Sequence, residues 1–260
     1  MGHVFNPLFM VSGLVVGLLV GLTGVGGGSL MTPLLVLVFG IHPSTAVGTD
    51  LLYAAATKTV GTGVHGARGT VDWRIVGRLA LGSVPATAIT LLLLWKFGAH
   101  LDQKHGVVST TLGVALILTA SAIFLRRHIL DRFATVSRNW SARTVAISTV
   151  ILGAVMGVLV SISSVGAGAI GITVLLVLYP AIPMNKLVGS DIAHAVPLTL
   201  IAGLGHWMMG SVNVGMLGSL LAGSIPGIIV GSLLASRAPD KVLRPILAST
   251  LAIVGSRLIF

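Results

Sequence analysis

The sequence predicts an all-α polytopic membrane protein made of two inverted-topology repeats, each interrupted by glycine. Three observations carry this: an extreme apolar composition, a succession of span-length apolar runs, and an internal repeat. Of the 260 residues, 55% are hydrophobic and 8% charged, with a mean hydropathy of +1.04, whereas a soluble domain carries about 25% charged residues. A spanning helix needs about 20 apolar residues, so this length holds about 8–10 membrane segments in a single transmembrane domain covering residues 1–260. The balance of 16 Lys and Arg against 6 Asp and Glu gives a net charge of +10. These cations are scattered between apolar runs without an aromatic platform, which fits membrane-flanking loops and not a nucleic-acid surface. Cysteine is absent, which excludes disulfides and thiolate sites.

Apolar runs and breakers place helices at about 6–22, 29–41, 46–66, 73–96, 105–125, 144–163, 168–180, 187–208, 213–236 and 241–259. The second and seventh are glycine-interrupted and too short to cross alone. Met1 to Pro7 has no Lys or Arg and no cleavage pattern follows it, so the first run is expected to be retained and not removed as a signal peptide. Arg126, Arg127, Arg132, Arg138 and Arg143 fill the middle loop, which places a linker over about 126–143 in the cytoplasm. Counting outward puts Arg68, Arg74, Arg237, Lys241 and Arg244 inside, Lys96 to His105 and Met209 to Asn213 outside, and both termini outside. Trp73, Trp95, Trp140 and Trp207 fall at span ends, as an interfacial belt requires.

Sliding the chain by 141 positions superimposes Val47-Gly48-Thr49-Asp50 on Val188-Gly189-Ser190-Asp191, His65 on His206, and Gly82-Ser83-Val84-Pro85 on Gly223-Ser224-Ile225-Pro226. Gly69-Thr70-Val71-Asp72 matches Gly210-Ser211-Val212-Asn213. Val25-Gly26-Gly27-Gly28 matches Val165-Gly166-Ala167-Gly168 with a one-residue shift. The chain is therefore read as a duplicated unit, repeat one about 5–125 and repeat two about 144–260. The basic turn at Arg68 and Arg74 corresponds to the neutral turn at Met209 to Asn213, so the two repeats are expected to be antiparallel. Paired short segments in inverted halves point to a secondary transporter with its site near the midplane.

The residues Gly21-Leu22-Thr23-Gly24-Val25-Gly26-Gly27-Gly28, then Pro33, Ala46-Val47-Gly48-Thr49 and Val71-Asp72-Trp73-Arg74 resemble the TauE/SafE sulfite exporter family over nearly the whole chain. The resemblance implies a multi-pass protein of the bacterial cytoplasmic (inner) membrane that moves sulfite, sulfonates or other small sulfur-containing or organic anions, with export as the direction.

The run holding Thr23, Gly24, Gly26, Gly27, Gly28 and Ser29 precedes a short helix, so backbone amides and a helix N-terminus can face an anion. Its counterpart holds Ser163, Ser164, Gly166 and Gly168, where hydroxyls add donors. The alternative for both runs is close helix packing, which is the reading adopted for Gly153 and Gly157. Asp50 and Asp191 occupy equivalent places in apolar segments, where an ionisable group is costly unless it pairs or lines water. They are candidates for proton or substrate coupling, or else N-terminal helix caps. His194 lies one turn from Asp191 and completes a candidate proton relay. Lys58, a cation within a long apolar stretch, either attracts the anion or neutralises an acid, or snorkels to the interface. His65 and His206 read as interfacial or capping residues, and Pro85 and Pro226 as kinks.

The expected function is a secondary transporter of small anions, with proton coupling resting on Asp50 and Asp191; the alternative is a passive anion channel of the same fold. A hydrolase using Ser29, Ser163 or Ser164 with His194 or His206 is disfavoured, because none of these serines stands in a Gly-x-Ser-x-Gly elbow. A small anion and the lipid bilayer are the expected partners. No cofactor, metal or nucleic acid is expected, and nothing in the sequence indicates a homo-oligomer.

Overall fold

The structure is a computed structural model that describes residues 6–23, 28–105, 107–137, 140–166, 168–234, 249, 252–253 and 255–257. Nine helices are formed among the main described segments: α1 (Pro7–Thr23), α2 (Gly28–Leu37), α3 (Pro43–Ala67), α4 (Trp73–His105), α5 (Val107–Ser137), α6 (Ala142–Ser163), α7 (Ala169–Leu178), α8 (Met184–Met208) and α9 (Val214–Leu234). No strand occurs among the described residues. Among the described residues, four stretches are long and apolar enough to cross a membrane: Trp73–Phe97 in α4, Ala142–Ser163, Met184–Met208, and Val214–Gly231 in α9. The last expected helix, 241–259, lies largely outside the described residues.

Local sequence explains the helix ends. Pro43 begins α3 where its missing N–H costs nothing. Ser141 caps α6 by accepting from the Thr144 N–H at 3.1 Å. α3 and α8 finish alike: Gly69 and Gly210 take φ of +64° and +74°. The Thr70 and Ser211 N–H groups then reach back to the His65 and His206 carbonyls at 3.0 and 2.9 Å.

Two helices outrun their expected bounds. α4 continues through Lys96 to His105, and α5 continues through Arg126, Arg127 and Arg132 to Ser137. No proline interrupts Phe124 to Ser137, and leucine, arginine and alanine extend a helix readily even where the chain turns polar.

Helix pairs pack through glycines that bring backbones together. A Cβ on Gly13 or Gly17 of α1 would strike the Leu220 or Ser224 carbonyl of α9; one on Gly153 or Gly157 of α6 would strike those of Leu79 or Ser83 in α4. These four glycines are packing residues, as expected for Gly153 and Gly157. The two interfaces occupy equivalent positions in the two repeats, with the one-residue shift carried by α1 and α6.

The halves meet along α3 and α8. Gly48 lies against His206, Leu52 against Gly203, Gly61 against Ile192, and His65 against Gly189. As the first number rises the second falls, so these two equivalent helices run antiparallel. The contacts are also reciprocal. The Asp72 N–H donates to Ser190 Oγ at 2.8 Å, and the Asn213 N–H donates to Thr49 Oγ1 at 3.1 Å. Each position in one bond is the repeat equivalent of a position in the other.

Candidate functional site

The buried charges gather where α3 and α8 cross. Among the described residues the buried Asp, Glu, Lys and Arg side chains are Asp50, Lys58 and Asp191 alone, at 0%, 6% and 2% exposure. Asp50 and Asp191 each stand seven residues inside their helix. The capping alternative therefore fails, because α3 begins at Pro43 and α8 at Met184, a full two turns earlier. Lys58 lies within a turn of the point midway between Leu52 and Gly61, where α3 crosses its own equivalent. From there its charge acts on Asp191, Asp50 and His194. Its repeat equivalent is Thr199, so one cation serves two symmetric acids.

The two acids have different neighbours. Thr32 Oγ1 of α2 donates to Asp50 Oδ2. The Ser164 hydroxyl, from the break between α6 and α7, also lies beside the Asp50 carboxyl, yet neither Asp50 Oδ1 nor Ser164 Oγ is engaged in a hydrogen bond of regular geometry. Asp191 Oδ1 is likewise unpartnered. It rests over Gly171 of α7, where a Cβ would come within 2.5 Å of it.

His194 does not bond to Asp191. Its Nε2 lies 2.8 Å from Ser83 Oγ of α4, and its Nδ1 has no partner. The equivalent pair is Tyr53 Oη and Ser224 Oγ, 2.6 Å apart. His206 is buried, not interfacial, and its Nε2 donates to the Ser161 carbonyl at 2.8 Å. Ser83 and Ser224 were visible in the sequence only as parts of the repeated Gly-Ser-x-Pro motif. Thr32 and Gly171 carried no signal.

The second break is built around Ser164, which caps α6 in the left-handed region at φ 57°, an uncommon conformation for a residue with a Cβ. Gly166 at φ +113° turns the chain back, and Gly168 starts α7. Ser163 does not offer its hydroxyl to a ligand, because Oγ donates to the Leu159 carbonyl at 2.7 Å and accepts the Val165 N–H at 3.2 Å. In the first break Gly24, Gly26 and Gly27 lie outside the described residues. Thr23 ends α1, and Gly28 and Ser29 open α2.

A second polar group lies where the end of α3 meets the start of α8. Asp72 and Lys186 pair at 3.9 Å, and Arg78 of α4 donates to Tyr179 Oη at 3.1 Å.

The family model described as sulfite exporter TauE/SafE matches residues 9–258. Among curated proteins, the chain is 38% identical over 207 residues to the probable membrane transporter protein YjnA of Bacillus subtilis, covering 78% of this chain and 80% of that one. It is 30% identical to the probable membrane transporter protein YdhB of the same organism, covering 78% and 79%. It is 27% identical to the probable membrane transporter protein MJ0441 of Methanocaldococcus jannaschii, covering 76% and 70%. No solved structure matches. With its apolar helices and buried ionisable cluster, the chain belongs to the sulfite exporter TauE/SafE family of multi-pass membrane transporters.

Proposed function

We propose that the protein is a secondary carrier of small anions, sulfite or a sulfonate in the first instance, working by alternating access between two inverted halves. The single observation that carries this is the buried cluster of Asp50, Lys58 and Asp191 at the crossing of two equivalent, antiparallel helices. Buried ionisable groups in a membrane protein are costly and mark ion or substrate paths, and a site at the interface of repeats is accessible from either side as the halves rock.

The two breaks supply the anion contacts: Thr23, Gly24, Gly26, Gly27, Gly28 and Ser29 in one, Ser164, Gly166 and Gly168 in the other, with Ser163 fixing the second turn. Asp50, Asp191 and Lys58 supply coupling, and His194 tunes the cluster from its place on Ser83. The membrane is the bacterial inner membrane, with the Arg-rich segment after α5 in the cytoplasm and both termini outside. The Asp72–Lys186 pair supports this sidedness, since it joins the end of α3 to the start of α8, both counted as cytoplasmic. Sulfite as substrate and export as direction rest on the family's description.

The test is uptake and counterflow in proteoliposomes against sulfite, thiosulfate, sulfoacetate, taurine, sulfate and lactate, with and without a pH gradient. Saturable counterflow of one sulfur oxyanion or sulfonate is expected. Unitary conductance without counterflow would make the protein a channel, and flux no faster than in empty vesicles would remove transport of these anions.

A further inference from the structure

Asp50 and Ser164 come from different halves of the chain, and the fold brings them face to face. Asp50 Oδ1 and Ser164 Oγ are both buried, at 0% and 4% residue exposure, and both lack a regular hydrogen bond. The other carboxyl oxygen is already taken, since Thr32 donates to Oδ2. A buried acceptor and a buried hydroxyl left unpaired side by side are each costly; an ionised Oδ1 uses up the Ser164 O–H as its donor, whereas a proton on Oδ1 donates to Ser164 Oγ and sets that O–H free. The same proton decides whether the place can hold an anion. An ionised Asp50 would set two negative charges together in a low-dielectric interior, whereas a protonated Asp50 leaves the Ser164 O–H free to donate to the anion.

Other titratable groups do not remove this constraint. On its own helix Asp50 faces Lys58 and Tyr53. Tyr53 is neutral and bonded to Ser224. Lys58 is shared with Asp191, whose charge it opposes. α2 contributes the neutral Thr32, α8 places Asp191 and His194 around Lys58 and His206 against Gly48, with its Nε2 bonded to the Ser161 carbonyl, and the break contributes Ser164. Two acids against one cation leave the cluster with no spare positive charge for an arriving anion.

We propose that Asp50 and Ser164 form a proton-dependent oxyanion site at the junction of the two halves, so that a monovalent anion is bound only together with a proton on Asp50. This rests on the carrier reading above and deepens it. Proton and anion then travel in the same direction, and by linkage each raises the other's affinity. An outward anion gradient carries protons out with it.

The experiment uses vesicles reconstituted with the full chain and loaded with a pH-sensitive dye, given sulfite or the permanently monovalent methanesulfonate at several pH values. Wild type is expected to acidify the lumen as the anion enters, with KM falling as the pH is lowered. Asp50→Asn, which keeps a donor without a titratable proton, is expected to move the anion without protons and without pH dependence. Ser164→Ala is expected to raise KM roughly tenfold, the value of a lost hydrogen bond to a charged group, while the cotransported proton remains. Independently of any substrate, infrared spectra of the purified protein near neutral pH are expected to show protonated carboxyl absorption, a distinct part of which is lost in Asp50→Asn. Protons moving against the anion, proton cotransport surviving in Asp50→Asn, or carboxyl absorption unchanged by Asp50→Asn would each overturn the proposal. A wild type that moves neither anion counts against the carrier reading, and the infrared band still decides where the proton resides.

Discussion

Tyr53 Oη of α3 lies 2.6 Å from Ser224 Oγ of α9, buried between the two halves of the chain. The equivalent positions, His194 and Ser83, make the equivalent contact at 2.8 Å. Each bond ties the central helix of one half to a helix of the other, so the pair acts as two matched latches on either side of the α3–α8 crossing. The residue types differ, but the geometry is the same.

The latches should differ in strength when broken. Tyr53→Phe is expected to cost about 1 kcal/mol, the net value of one hydrogen bond, because Ser224 can rotate its hydroxyl to another acceptor. Ser83→Ala is expected to cost more, about 1–3 kcal/mol, since it leaves both nitrogens of buried His194 without a partner. Thermal melts of the two variants in one detergent compare them directly. A Ser83→Ala melt indistinguishable from wild type would show that the His194 contact carries no stability.

Lys58 should behave as a counter-charge and not as a snorkelling surface lysine. It is 6% exposed, and its influence on Asp191 and Asp50 has no equivalent from Thr199 on the other helix. Lys58→Met is expected to destabilise by about 3–5 kcal/mol, as breaking one partner of buried charges does. Lys58→Met combined with Asp191→Asn should recover much of that loss while transport stays impaired. Stability of the single variant equal to wild type, measured by thermal aggregation, would place Lys58 outside the charge cluster.

Much of this arrangement was legible in the sequence, and the reason for each failure is physical. The offset of 141 positions marked α3 and α8 as equivalent, and these two helices do pack antiparallel; Asp50 and Asp191 stood out because carboxylates are rare in apolar segments. An offset shows which residues are equivalent, however, and not which ones touch. Nothing in the order of residues brings Ser164 to Asp50 or Gly171 to Asp191, since both contacts depend on how the breaks fold. His194 was expected beside Asp191 because they share a helix face, but the neighbouring helix offered Ser83 first. The ends of α4 and α5 ran past their expected bounds because loss of hydropathy marks the membrane edge, whereas a helix stops only at a breaker or a cap.

The glycines separate into two classes that substitution should distinguish. A Cβ on Gly82 or Gly223 would meet the Val150 or Met10 carbonyl at 1.9 or 1.8 Å, and a backbone oxygen cannot yield as a side-chain tip can. Gly82→Ala and Gly223→Ala are expected to force their helix pairs apart and to cost at least about 1–3 kcal/mol, as overpacking does. Gly63 and Gly77 lie within helices with nothing inside 4 Å, so alanine there should be neutral or stabilising by about 0.5–1 kcal/mol. Yield of monodisperse protein and its melting temperature report the difference. Equal tolerance at all four positions would contradict the close backbone approach.

The antiparallel run of α3 and α8 makes a prediction about sidedness that the natural absence of cysteine makes clean to test. A Cβ at Gly61 would lie 3.4 Å from Ile192 Cγ2, so Gly61→Cys with Ile192→Cys should cross-link through a short bifunctional reagent. Gly61→Cys with Leu200→Cys should not, since it pairs positions displaced by two turns of α8. The turns after these helices should then label from opposite faces: a cysteine at Gly69, beside Arg68, from the cytoplasm, and one at Gly210 from outside. Gly69 and Gly210 end equivalent helices with the same left-handed turn. If those helices point in opposite directions across the bilayer, their identical ends must face opposite compartments. Labelling of both turns from one side by an impermeant maleimide, with the cross-link intact, would mean that α3 and α8 pack antiparallel without each spanning the membrane. The alternating-access arrangement would then be wrong.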